Sequence, residues 1–243
     1  MLQIFQKKFS IPKRRMEYIV HISERFNCIY VQTPKVACTT IKKTMQLMER
    51  DAASGVEIEN PHDRASSPLK LLSTTSRSYD NLFIDDSMYR FTFVRNPYTR
   101  IASTFLDKFA PGRPQRGEFM PKIGLSANDE LSFEDFLHII RNKRRDRLNK
   151  HWMPLTLLTQ FDRFNYSFIG RFENFEEDFS KVVHDVYGQR YDESAHRMSP
   201  HSTGADARFR ELIGRQEQEL IEEIYQSDFE IFGYSKSLDA ISA

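Results

Sequence analysis

Cys28-Ile29-Tyr30-Val31-Gln32-Thr33-Pro34-Lys35-Val36-Ala37-Cys38-Thr39-Thr40-Ile41 is the stretch that decides the fold. Its first four residues form a short apolar run between Asn27 and Thr33-Pro34, the pattern of a buried strand that ends in a turn. Thr39 and Thr40 then offer N-cap hydroxyls, and Ile41, Thr44, Met45 and Met48 recur at helical spacing over residues 41–50. The unit reads strand, loop, helix. Lys35 stands early in the loop and hydroxyls stand at its far end.

The pattern returns at Arg90-Phe91-Thr92-Phe93-Val94, a strand that ends at Arg95-Asn96-Pro97. Residues 98–109 follow as a helix with Ile101, Phe105 and Phe109 along one face. Tyr18-Ile19-Val20 predicts a neighbouring strand, and residues 166–172 alternate like another, before an amphipathic helix over 174–187. Ser132, Glu134 and Asp135 open a helix through about residue 144, where Arg141, Lys143, Arg144 and Arg145 suit the negative end of its dipole. Residues 52–80 read as a long surface connection with short helical pieces, 119–129 as a mobile loop after Pro111-Gly112-Arg113-Pro114, 191–208 as a polar loop and 209–229 as largely helical. Strands separated by helices imply an α/β fold with a central parallel sheet flanked by helices.

The 243 residues suit one domain, residues 16–243, behind a basic N-terminal arm, residues 1–15. With 35 Lys and Arg against 34 Asp and Glu there is no global basic field for nucleic acid, so any anion site must be local. Cys28 and Cys38 make no disulfide framework, which predicts a reducing compartment. The start lacks the apolar stretch of a signal peptide, and nothing approaches the roughly 20 apolar residues of a membrane helix, so a soluble, cytoplasmic chain is expected. The thiols and histidines show no zinc spacing, and no metal is expected.

In open α/β sheets, ligands bind at the carboxyl ends of strands, where helix N-termini offer N–H groups to anions. Two such ends carry cations here. The loop of Lys35, Val36, Ala37, Cys38, Thr39 and Thr40 has the logic of a phosphate-binding loop without G-x-x-x-x-G-K-[ST], which lowers the standing of an ordinary ATPase or GTPase. Arg95 ends the second strand with Ser103 eight positions on, two helical turns, so a guanidinium and a hydroxyl can grip one phosphate. Arg100 reads as a salt-bridge former instead.

Taken together, these segments resemble the Golgi-type carbohydrate sulfotransferases and their bacterial relatives. Phe26 to Val31 followed by Pro34-Lys35-Val36-Ala37-Cys38-Thr39-Thr40 looks like their 5′-phosphosulfate loop, and Phe93-Val94-Arg95-Asn96-Pro97-Tyr98-Thr99-Arg100-Ile101-Ala102-Ser103 is similar to their 3′-phosphate motif. His151-Trp152-Met153-Pro154 and Phe168-Ile169-Gly170-Arg171-Phe172-Glu173 match further, in family order over roughly residues 16 to 235. The resemblance implies a P-loop NTPase-like three-layer fold and 3′-phosphoadenosine 5′-phosphosulfate (PAPS) as donor. By position, Lys35, Val36, Ala37, Cys38, Thr39 and Thr40 would surround the 5′-phosphosulfate, and Arg95 and Ser103 would hold the 3′-phosphate. Ala37 stands where relatives often have Gly. Arg197 and Ser202 fall in a segment, 197–204, that resembles a loop closing over the nucleotide, where His201 could also touch it.

Sulfuryl transfer to a hydroxyl needs a base, and histidine is the usual one. His62, in the long connection where related enzymes place a catalytic His, and His151, beside Trp152, are the two candidates. The implied acceptor is a carbohydrate hydroxyl. Trp152 reads as core rather than as a sugar platform, and Arg113, Arg116, Lys143, Arg144 and Arg145 as a solvated face rather than a groove for an acidic polysaccharide. Two rival readings are a P-loop-type nucleotide kinase or NTPase and a non-catalytic nucleotide-binding or scaffold protein.

Overall fold

Four strands, Val20–Ser23 (β1), Cys28–Val31 (β2), Tyr89–Val94 (β3) and Phe168–Arg171 (β4), pair in that order in a computed structural model that describes residues 11–50, 58–84, 86–189 and 205–241. β2, β3 and β4 run parallel, with Tyr30 opposite Phe91 and Phe93 opposite Gly170. β1 is antiparallel to β2, Val20 facing Val31 and Ser23 facing Cys28. The sheet is therefore mixed, which corrects the all-parallel expectation. Only Glu24, Arg25, Phe26 and Asn27 separate β1 from β2. So short a link makes a hairpin, whereas a parallel partner needs a crossover. Asn27, at φ 49°, takes the left-handed conformation that closes it.

Contacts divide the chain into two compact units, one of Met1–Val94 with Thr159–Pro200 and one of Arg95–Leu158 with His201–Ala243. The first unit contains the whole sheet. The helix Lys13–Ile19 packs on β1 and the helix Phe175–Tyr187 on β4. Tyr18 and Ile19 thus end a helix instead of opening a strand. Pro12 precedes the first helical residue, and Met16 and Ile19, three apart, are both buried. Phe93 is surrounded by Phe168, Phe175 and Phe179, while Tyr30 stacks on Phe91. The 58–78 connection is fastened by carboxylates: Glu17 accepts from Ser73, and Glu24 from Thr75 and Ser76.

The second unit is helical. Pro97–Lys108 starts under the Asn96 side chain, which accepts from Tyr98 N, with Pro97 at the first helical position where its missing N–H costs nothing. Phe133–Arg141 starts with a capping box between Ser132 and Asp135. The expected loop over 119–129 is instead half helix, Arg116–Ile123, which buries Phe119, Met120 and Ile123 and ends at Gly124 with φ 96°. Pro121 and Gly124 read as loop formers, but burial of three apolar side chains overrides them. Of the cations expected on a solvated face, Arg113, Lys143 and Arg144 are exposed, and most of the set also cap helix ends, as expected for Lys143 and Arg145. Arg113 and Arg116 donate to Leu106 O and Phe109 O, Lys143 to Ile123 O at 3.3 Å and Arg145 to Arg141 O at 2.7 Å. Trp152, 2% exposed, packs against Phe109, Phe119 and Phe136 as a core residue. Arg100 donates to Met153 O and Lys150 O, and Asp228 accepts from Leu155 N and Thr156 N, so the 150–156 segment is held from both sides.

Candidate functional site

The loop after β2 is anchored to the sheet before it turns. Thr33 Oγ1 donates to Phe93 O at 2.6 Å, and Thr92 Oγ1 to Val31 O at 2.8 Å, so β2 and β3 are tied at their carboxyl ends. Lys35 and Ala37 then adopt positive φ, 68° and 48°, a conformation that costs a residue with a Cβ about 1–2 kcal/mol. The strain lies in the segment singled out as anion-binding. Ala37 occupies the N-cap of the helix Cys38–Glu49 and has no capping side chain, which corrects the assignment of Thr39 or Thr40 as cap. Those threonines lie in the first turn, and the helix presents its N-terminal N–H groups and partial positive charge to the loop. Below the loop Tyr30 is fully buried, and that burial pushes its hydroxyl well above the ordinary tyrosine pKa.

A polar stripe on this helix, Thr39, Lys42 and Gln46, grips the turn at Pro61-His62. Thr39 Oγ1 lies 2.9 Å from His62 Nε2, Lys42 Nζ lies 3.4 Å from His62 Nδ1, and Gln46 Nε2 donates to Pro61 O at 2.8 Å. His62 is thus joined to the helix that follows the Lys35 loop. Lys42 is 3% exposed. Its charge reaches two further groups: burial pushes the Cys38 thiol up while Lys42 and Lys35 pull it down, and burial with Lys42 lowers His21 to about 3. His21 Nε2 lies 2.8 Å from Gln32 Oε1 beneath the loop. Positive charge is therefore concentrated here, although the chain's net charge is only +1.

The second segment sits in the helical unit. Arg95, Thr99 and Ser103 are spaced four apart, on one face of the helix start, and are 5%, 3% and 2% exposed. Arg95 Nε donates to Thr99 Oγ1 at 3.1 Å. His151, in the same unit, places Nδ1 2.8 Å from Asn149 Oδ1, and its ring meets Phe119 edge-on. Arg197, His201 and Ser202 lie outside the described residues. Among the described residues no group of three His, Cys, Asp or Glu is placed to hold a metal ion.

Sequence reading missed Lys42, Gln46 and Thr99. Thr39, Lys42 and Gln46 follow the i, i+3, i+7 rule, so a polar stripe beside the apolar positions Ile41, Met45 and Met48 was the available signal. Thr99 is halfway between two residues already singled out.

Residues 19–235 of the chain, including both strand–loop–helix units, match the Sulfotransferase family. The chain is a member of that family. It is 28% identical to human carbohydrate sulfotransferase 14 over 171 residues, which is 67% of this chain and 45% of the relative. Rat carbohydrate sulfotransferase 11 is 26% identical over 252 residues, covering 95% of this chain and 70% of the relative. Mouse carbohydrate sulfotransferase 12 is 24% identical over 261 residues, covering 93% and 62%. This family member spans a little under half the length of the human relative. No solved structure matches it. Ala37 adopts the left-handed conformation in which Gly is the unstrained residue, so its departure from the Gly of the resembling pattern carries a backbone cost.

Proposed function

We propose that this protein is a PAPS-dependent sulfotransferase that moves a sulfuryl group to a hydroxyl of a carbohydrate acceptor, on a P-loop NTPase-like scaffold. The observation that carries the reading is the bond between His62 and Thr39, which joins a proton acceptor to the helix behind the cationic Lys35 loop. Family membership and the names of the relatives support the reaction and acceptor class.

In this reading the loop N–H groups, Lys35 and the hydroxyls of Thr39 and Thr40 hold the 5′-phosphosulfate, while Arg95, Thr99 and Ser103 hold the 3′-phosphate. The acceptor oxygen attacks sulfur in line, the bond from sulfur to the bridging oxygen breaks, and its electron pair leaves on the 5′-phosphate of 3′-phosphoadenosine 5′-phosphate (PAP). Lys35 neutralises the charge that grows on that oxygen. The acceptor's proton passes to His62. Lysine and arginine supply the countercharge that Mg²⁺ gives a nucleoside triphosphate.

Calorimetric titration with PAP and with ATP plus Mg²⁺ tests the donor. Micromolar affinity for PAP without metal is expected; preference for ATP and Mg²⁺ would return the chain to the kinase or NTPase reading. Transfer of radiolabelled sulfate from PAPS to a panel of glycans tests the reaction. No transfer to any glycan, despite PAP binding, would favour a non-catalytic nucleotide-binding protein.

A further inference from the structure

Both ring nitrogens of His62 have partners in the structure, Thr39 Oγ1 at Nε2 and Lys42 Nζ at Nδ1. An ammonium has only hydrogens to give, so beside it Nδ1 accepts. The single proton of the neutral ring then falls on Nε2 and is donated to Thr39 Oγ1. Thr39 in turn keeps its own hydroxyl hydrogen to donate. One buried lysine thus sets the direction of a three-residue chain, and it covers the nitrogen that has the lone pair.

We propose that Lys42 is a positioning residue that caps the basic nitrogen of His62, Nδ1, until an anionic donor fills the loop, so that donor binds before the acceptor can be deprotonated. This rests on the reading in which His62 is the base and PAPS the donor. A phosphosulfate is a stronger partner for an ammonium than a neutral imidazole is. When the ammonium turns to the donor's oxygens, Nδ1 takes the proton of the acceptor hydroxyl. The Nε2–H bond to Thr39 stays, so the ring keeps its place as it becomes imidazolium. Lys35, which also acts on Cys38, and Arg64, which also acts on His21, are further cations of the cluster among the described residues. The Asp63 carboxylate accepts from Ala65 N.

The test uses the full chain labelled with ¹⁵N-histidine, in which ring-nitrogen resonances report the tautomer. Ligand-free wild type should show His62 as the Nε2–H form, and PAP should move its Nδ1 resonance. Lys42→Met should lose the fixed tautomer, and Lys42→Arg, also a pure donor, should keep it. In kinetics, Lys42→Met should raise KM for PAPS roughly tenfold, the worth of one charge-assisted hydrogen bond. Its product-inhibition pattern should change from ordered, donor first, to random. An Nδ1–H tautomer in ligand-free wild type overturns the proposal, as does a Nδ1 resonance unmoved by bound PAP. Failure of PAP to bind overturns the donor assignment itself, and the ligand-free spectrum tells the two failures apart.

Discussion

Gly170 of β4 lies so close to Phe93 of β3 that a Cβ built on it would come within 2.3 Å of the ring's Cε1. Phe93 cannot retreat, because Phe168, Phe175 and Phe179 surround it. Gly170→Ala should therefore destabilise the protein by about 1–3 kcal/mol, the usual cost of overpacking. Urea unfolding measures this. Adding Phe93→Leu should recover part of the loss, and a double variant no better than the sum of the singles would refute the clash.

Stability should fall as the medium is acidified from pH 7 to 5 because of His21. Its folded pKa is lowered to about 3 from 6.5, first by burial and then by Lys42, so the native state keeps the ring neutral while the unfolded chain binds a proton. The contribution is complete above pH 6.5 and is lost as pH falls from there toward 3. Between pH 6.5 and 5 that loss is roughly 2 kcal/mol. In His21→Gln, which keeps a donor for Gln32, urea midpoints should lose most of this slope. An unchanged slope would assign it to other groups.

Arg95→Ala should separate the two phosphates of the donor. Loss of a charge-assisted contact should weaken PAP about 10–100-fold and leave 5′-AMP, which has no 3′-phosphate, nearly unaffected. Calorimetry with both nucleotides reads the difference. Equal weakening of both would remove Arg95 from the 3′-phosphate.

The two histidines should behave differently in sulfate transfer. His62→Ala should lower kcat by about 10²–10⁴, the range for loss of a general base. His151→Ala should cost much less, since Nδ1 contacts Asn149 and the ring packs on Phe119 in the helical unit. The reverse ranking would move the base to His151.

Much of this architecture was legible in the chain itself. The apolar run at Cys28–Val31 is buried on both faces, which removes the alternation of a half-exposed strand and leaves a plain signal, whereas Tyr89–Val94 alternates with Arg90 and Thr92, both buried and donating to Leu82 O and Val31 O. Asn96-Pro97 marks a helix start from local chemistry alone. Misreadings arose where local preference and burial disagree. Tyr18 and Ile19 favour a strand by composition yet end a helix, and Pro121 and Gly124 suggest a loop where Phe119, Met120 and Ile123 have a core to fill.

By itself, then, the sequence determined which strands and helices carry Lys35, Thr39, Arg95 and Ser103, because those signals depend on neighbours a few residues away. Only tertiary structure decided that β1 runs antiparallel, that Arg116 spends its charge on a helix carbonyl, and that Lys42 faces the Nδ1 of His62. Lys42 and His62 are 20 positions apart. A contact of that span depends on how the 58–78 connection is pinned by Glu17 and Glu24, which is a matter of packing that no local pattern encodes.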